Sequence, residues 1–249
     1  MKLIFELVIR TENFNSDTWK DFLRFKSTLI QPTRFGYTEP LKNKIVDTEK
    51  AINTILGLHE KGLGIIFKGK KKFWFSTSIY RLGLLMSGGG IDVKEKDLTK
   101  LHELIDFMHL FSRNRQLLYG CLCPEQEYDI RHKVVKEYSY GWKGVSMWDF
   151  MDYLPGLHWY TIAGRDLVEA IGVNKFKNLQ GVNYTLDNEE AIAFHLNSDI
   201  REVEDNIHKL IQLEDQIGAH YFFGKEKVKG TYSHPESYKK FLRSFVDDE

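Results

Sequence analysis

Cysteine and proline are scarce in this sequence, long apolar runs are missing, and the net charge is zero. Only Cys121 and Cys123 occur among 249 residues. Two positions apart on a strand they point to one face, a poor geometry for a bridge, which argues against a disulfide-stapled scaffold and for a reducing compartment. The 5 prolines are dispersed, so no Pro- or Ser-rich linker divides the chain and a single α+β domain over 1–249 is expected. No stretch approaches the roughly eighteen apolar residues of a membrane-spanning helix. The first apolar run, Met1 to Glu6, contains a glutamate and leads to no small-residue cleavage site. It does not read as a secretory signal, and the expected location is the cytoplasm.

What is present suits a folded protein. Hydrophobic residues make up 42% and aromatics 14%, enough to bury a sizeable core. The zero total charge conceals an asymmetry. Residues 1–120 hold 20 basic and 13 acidic side chains, a net of +7, and residues 121–249 hold 15 and 22, a net of −7. Between 146 and 217 there are 13 acids and 5 bases. Two readings fit: solvated faces of opposite sign, or an acidic surface whose field draws in a basic partner.

Periodicity places the elements. Leu3 to Arg10 reads as a strand. Ser16 caps a helix carrying Trp19, Phe22, Leu23, Leu29 and Ile30, which Gln31-Pro32 ends. Asp47 caps a second helix with Ala51, Ile52, Ile55 and Leu56 on one face. Gly64–Lys68 and Lys72–Tyr80 form a hairpin around Gly69, with Phe73, Phe75, Thr77 and Ile79 on one side of the second strand. Asp97 opens a helix over Leu98, Leu101, Leu104, Ile105 and Met108, and Leu117 to Cys123 is a strand. A second hairpin joins Gly181–Leu186 to Ala191–Asn197 through Asp187-Asn188-Glu189-Glu190. A helix then carries Ile200, Val203, Ile207, Leu210, Ile211 and Ile217 on one stripe. Ser233 and Glu236 have capping-box spacing before a last helix. Hairpin-then-helix thus occurs twice. A duplicated unit with halves 1–123 and 124–249 would produce that order, and so would two unrelated hairpins. Mixed strands and helices with hairpins indicate an α+β fold with a mixed or antiparallel sheet.

Little in the chain spells out chemistry. Ser87-Gly88-Gly89-Gly90 lacks the Gly-Lys-Ser/Thr end of a phosphate loop and reads as a flexible loop. Cys121 and Cys123, with His132 nearby, could seed a zinc site. With no second Cys pair and no His-x-x-x-His partner, they read instead as two buried thiols. His102 and His109 share a helix face without a third ligand and read as surface residues. Asp149 with Asp152, and Glu202 with Asp205, read as solvated acids rather than an acid–base pair. A hydrolase or transferase built on Asp149, Asp152 and His158 is the enzymatic alternative. Lys68, Lys70, Lys71 and Lys72 beside Phe73, Trp74 and Phe75 could follow a nucleic-acid backbone, but lysines guarding a hairpin edge explain the cluster as well. No catalytic residue, metal or cofactor is assigned.

Residues 154–172 are the most distinctive segment. Pro155-Gly156 make a turn. Leu157, Trp159 and Thr161 face one side of a strand, with His158 and Tyr160 on the other. Gly164 turns the chain, and Arg165 to Ile171 make a short helix that Gly172 ends. This run, from Leu154-Pro155-Gly156-Leu157-His158-Trp159-Tyr160 through Gly164 to Leu167-Val168-Glu169-Ala170-Ile171-Gly172, resembles a signature of bacterial immunity-protein family 52. It is similar in style to related type VI secretion immunity families. The resemblance implies a cytoplasmic, non-catalytic protein that binds and neutralises a cognate toxin. It transfers no functional residues. On charge and aromatic content, the candidate partner-binding residues are Trp142, Trp148, Asp149 and Asp152, with Glu189 and Glu190 at the acidic hairpin turn. The sequence leaves the oligomeric state open.

Overall fold

A computed structural model describes residues 1–11, 16–70, 72–80, 83–134, 143–144 and 154–222. The chain forms two compact units, Met1–Gly120 and Cys121–Glu249. Both combine antiparallel strands with helices packed beside them, so the fold class is α+β.

In the first unit, β1 (Lys2–Arg10), β2 (Pro32–Gly36), β3 (Asn43–Lys44), β4 (Ile65–Gly69), β5 (Trp74–Tyr80) and β6 (Leu84–Asp92) lie in the order β1-β6-β5-β4-β2-β3. Every neighbour in that order is antiparallel. The helices are α1 (Ser16–Arg24), α2 (Thr48–His59) and α3 (Leu101–His109). Asp47 caps α2 as expected, its carboxylate accepting from Lys50 N–H at 3.1 Å. Buried rings hold the unit together. Phe22 of α1 meets Phe67 of β4 at 4.9 Å, and Phe107 of α3 meets Phe5 of β1 at 5.6 Å and Phe75 of β5 at 5.9 Å. Edge-to-face packing of this kind adds to the area the rings bury.

Two expectations fail here. Gly88, Gly89 and Gly90 are not in a loop: they lie inside β6, paired with β1 on one side and β5 on the other. The glycines make room for aromatic rings. A Cβ on Gly89 would sit 2.2 Å from the Phe5 ring, and one on Gly90 would sit 2.8 Å from Trp74 Nε1. The helix begun at Ser16 ends at Arg24 rather than at Gln31. Ser27 Oγ accepts from Leu29 and Ile30 N–H at 3.0 and 2.8 Å, and Glu103 accepts from Thr28 N–H at 2.7 Å. These side chains offer the backbone an alternative to the helix, and Leu29 and Ile30 are buried without it.

The second unit opens inside β7 (Leu117–Pro124) and continues through α4 (Glu125–His132), the short pair β8 (Lys133–Val134) and β9 (Lys143–Gly144), β10 (Tyr160–Gly164), α5 (Arg165–Ile171), α6 (Val173–Lys177), β11 (Val182–Asp187), β12 (Ala191–Leu196) and α7 (Val203–Ile217). Its strands run in the order β11-β12-β10-β7. In β12, Ala191, Ile192, Ala193, Phe194 and Leu196 are buried in succession, the mark of a strand covered on both faces. Gly172 ends α5 at φ 124°, its N–H bonded to Val168 O, as the sequence suggested. One correction concerns α7: Ile211, assigned to the apolar stripe, is 47% exposed, while Leu213 and Glu214 face inward. Among the described residues no helix is long and apolar enough to cross a membrane.

Candidate functional site: a buried polar corner

The distinctive segment does not begin as a strand. Ladder pairing starts at Tyr160, so the N–H groups of residues 157–159 need other acceptors. Buried side chains supply all three. Leu157 N–H donates to Glu214 Oε1 at 2.6 Å, His158 N–H to Thr161 Oγ1 at 3.0 Å, and Trp159 N–H to Glu127 Oε1 at 3.1 Å. The Trp159 indole N–H donates to Ser198 O at 3.0 Å.

Helix α4 aims two charged residues at this segment. Glu127 and Arg131, four apart, lie on one helix face. Glu127 is fully buried and its Oε1 lies 3.1 Å from His158 Nδ1. Arg131 pairs with Glu214 of α7, both nearly buried. The turn before them must be glycine: Gly156 has φ 133°, and a Cβ there would come within 2.7 Å of Arg131 Nη2 and 3.1 Å of Glu214 Oε1.

Burial controls the protonation of the group. It pushes the Glu127 carboxyl up to about 7, against the opposing pull of the Trp159 N–H and the Arg131 charge. Burial also holds His158 well below the ordinary histidine range, with Arg131 adding to the effect. Burial likewise pushes Glu214 up, with Arg131 and the Leu157 N–H opposing. Glu127 Oε2 and Arg131 Nε have no hydrogen-bond partner among the described residues. The remaining member is Cys123 at the end of β7. Its sulfur, one Glu127 oxygen and one His158 ring nitrogen lie within 4.8 Å of one another, all buried.

The sequence candidates are dispersed. Trp142, Trp148, Asp149 and Asp152 lie outside the described residues. Glu189 is exposed and Glu190 half-buried at the turn between β11 and β12, where Asn188 Oδ1 accepts from Glu190 N–H at 2.8 Å and Ala191 N–H at 3.0 Å. His158 is an interior residue bound to Glu127. Glu202 and Asp205 are exposed at the start of α7. His102 is exposed, but His109 is half-buried and burial lowers its pKa, with Asp106 opposing; the surface reading holds only for the first. In the Lys68–Trp74 cluster, Lys68 pairs with Glu39 at 2.5 Å and Lys72 with Asp92 at 2.7 Å. Both cysteines are buried and outside any disulfide. Glu127, Arg131 and Glu214 were not singled out by sequence reasoning. The available signal was the i, i+4 pair Glu127/Arg131 just after a buried strand.

No family model matches the chain, and no curated protein matches it. Among solved structures, the Pseudomonas aeruginosa T6SS protein PA0821 is similar with a TM-score of 0.54 at 11% identity, over 98% of this chain and 81% of that one. At that identity the likeness is one of fold.

Proposed function

We propose that this chain is a binding protein of the immunity type, which neutralises a cognate toxin by occupying it and catalyses nothing itself. The observation that carries the reading is the acidic outer face of α7. Glu204, Asp205 and Asp215 are exposed on it, and the exposed Ile211 lies among them. An exposed apolar anchor on a helix that carries exposed acids near both ends suits a basic, complementary partner: the charges steer and orient, and the anchor supplies desolvated contact. Glu189, at the β11–β12 turn, adds to the acidic character of residues 121–249. The similarity in fold to a T6SS protein and the resemblance of residues 154–172 to immunity-protein sequences both favour this reading. Residues Trp142, Trp148, Asp149 and Asp152 remain candidates for the same partner surface.

The test is co-purification of the full chain with the products of the adjacent reading frames, followed by calorimetry. A stable complex with one of them is expected, with an affinity that falls as salt rises. The triple reversal Glu204→Lys, Asp205→Lys, Asp215→Lys should weaken the complex at least about tenfold while leaving the melting curve of the free protein nearly unchanged. A reversed protein that binds and protects cells like the wild type would remove the proposal. Failure of every adjacent product to bind would do so too.

A further inference from the structure

We propose that Cys123, Glu127 and His158 form a buried zinc-type metal site that ties the β7–α4 corner to the segment leading into β10. The donor set is the first argument. A thiolate, an imidazole and a carboxylate together suit a borderline metal such as Zn²⁺ and disfavour Mg²⁺ and Ca²⁺, which take oxygen ligands. Geometry is the second. Zinc bonds of roughly 2.0–2.3 Å hold tetrahedral donors about 3.3–3.7 Å apart. The three donors already lie within 4.8 Å of one another, so closure on a metal asks for side-chain adjustments of about 1 Å. Three protein ligands leave a fourth position for a further donor, the arrangement of an open zinc site.

Satisfaction is the third argument, and it is independent of the donor types. Glu127 is completely buried, yet its Oε2 has no hydrogen-bond partner among the described residues. An orphaned carboxylate oxygen in a protein interior costs free energy that a cation would recover. Charge balance is the fourth. A thiolate and a carboxylate together cancel a divalent cation, as a buried site requires. The nearby Arg131 guanidinium does not spoil that balance, because Glu214 neutralises it. The remaining groups already act as an outer shell: Trp159 N–H holds Glu127 Oε1 at 3.1 Å, and Tyr128 stacks on the His158 ring with centroids 6.2 Å apart. The site is separate from the acidic face of α7 and does not depend on the partner-binding reading.

The probe is Co²⁺, then Zn²⁺, added to the untagged full-length chain after chelator treatment. The expected result is one equivalent of Co²⁺ with a thiolate-to-cobalt charge-transfer band, displaced stoichiometrically by Zn²⁺. Zn²⁺ should also raise the melting temperature by about 5 °C at saturation. Cys123→Ser should abolish the band, and Cys121→Ser, two residues earlier on the same strand and outside the cluster, should keep it. Glu127→Gln preserves shape and hydrogen bonding, and should lower affinity about 100-fold without changing the melting temperature in chelator. Absence of binding, a cobalt spectrum without the sulfur band, or a band that survives Cys123→Ser would each overturn the site. If Cys123→Ser fails to fold, Glu127→Gln decides: undiminished affinity in that variant overturns the proposal.

Discussion

Glu214 serves two donors at once, the Arg131 guanidinium and the Leu157 N–H. Removing either member of a buried ion pair strands the other, at a cost of about 3–5 kcal/mol, well above the net value of the pair itself. Glu214→Leu also orphans a backbone N–H, worth a further ~1–3 kcal/mol. The expected order of stability by urea denaturation is therefore wild type, then Arg131→Met, then Glu214→Leu. Equal losses for the two variants would mean that the Leu157 N–H finds another acceptor. A second residue-level case is Gly89. Its added Cβ would meet Phe5 ring atoms at 2.2 and 2.7 Å and the Trp74 carbonyl at 2.7 Å. Gly89→Ala should cost about 2–3 kcal/mol, and the Phe5→Leu, Gly89→Ala double variant should lose less than the sum of the singles. Strict additivity of the two would show that the ring does not set the requirement for glycine.

At the scale of elements, the parts read correctly from sequence are those decided locally. The Gly69 hairpin, the Asp47 cap and the Gly172 stop each depend on residues within one or two turns of chain. The parts misread depend on distant residues. The glycine run of β6 looks like a loop until Phe5 and Trp74 arrive from the two neighbouring strands. Ile211 fits the helical stripe by spacing, but Glu214 takes the inward position because Arg131 and Leu157, far off in sequence, wait for it. For the same reason the buried corner was hardly legible: Cys123, Glu127, His158 and Glu214 come from three separate stretches. The early end of α1 belongs to this class, since Glu103 of α3 provides the acceptors. Burial raises the pKa of Glu103, but bonds from Ser27, Thr28 and Leu29 outweigh it and hold the carboxyl below its ordinary value. A carboxylate depressed in the fold stabilises above its unfolded pKa and loses that contribution as pH falls through the folded value. Glu103→Ala should therefore lower stability at pH 7, by no more than about 1 kcal/mol because solvent screens this partly exposed carboxylate. In chemical denaturation the gap between the variant and the wild type should narrow steadily as the medium is acidified below pH 4.5. A gap independent of pH would assign the loss to packing rather than to the carboxylate.

On the scale of the whole molecule, a zero net charge made of +7 in residues 1–120 and −7 in residues 121–249 behaves differently from a zero made of scattered charges. The division coincides with the boundary between the two compact units, Met1–Gly120 and Cys121–Glu249, so each unit carries its own sign. Copies without a partner then attract one another, basic unit to acidic unit, and no net charge opposes the approach. The attraction operates over a Debye length, about 30 Å at 0.01 M salt and about 8 Å at 0.15 M. Light scattering at pH 7 should give a negative second virial coefficient at low salt that rises toward positive values as salt is added. Reversing Glu204, Asp205 and Asp215 to lysine removes three negative charges and adds three positive ones, and should remove the attraction at every salt concentration. A basic partner that covers the acidic unit should act in the same direction, by taking the surface that otherwise draws in a second copy. A virial coefficient that is positive and insensitive to salt would show that the two charged units do not sense each other between molecules. In that case the acidic unit would have no measurable long-range pull on a basic partner either.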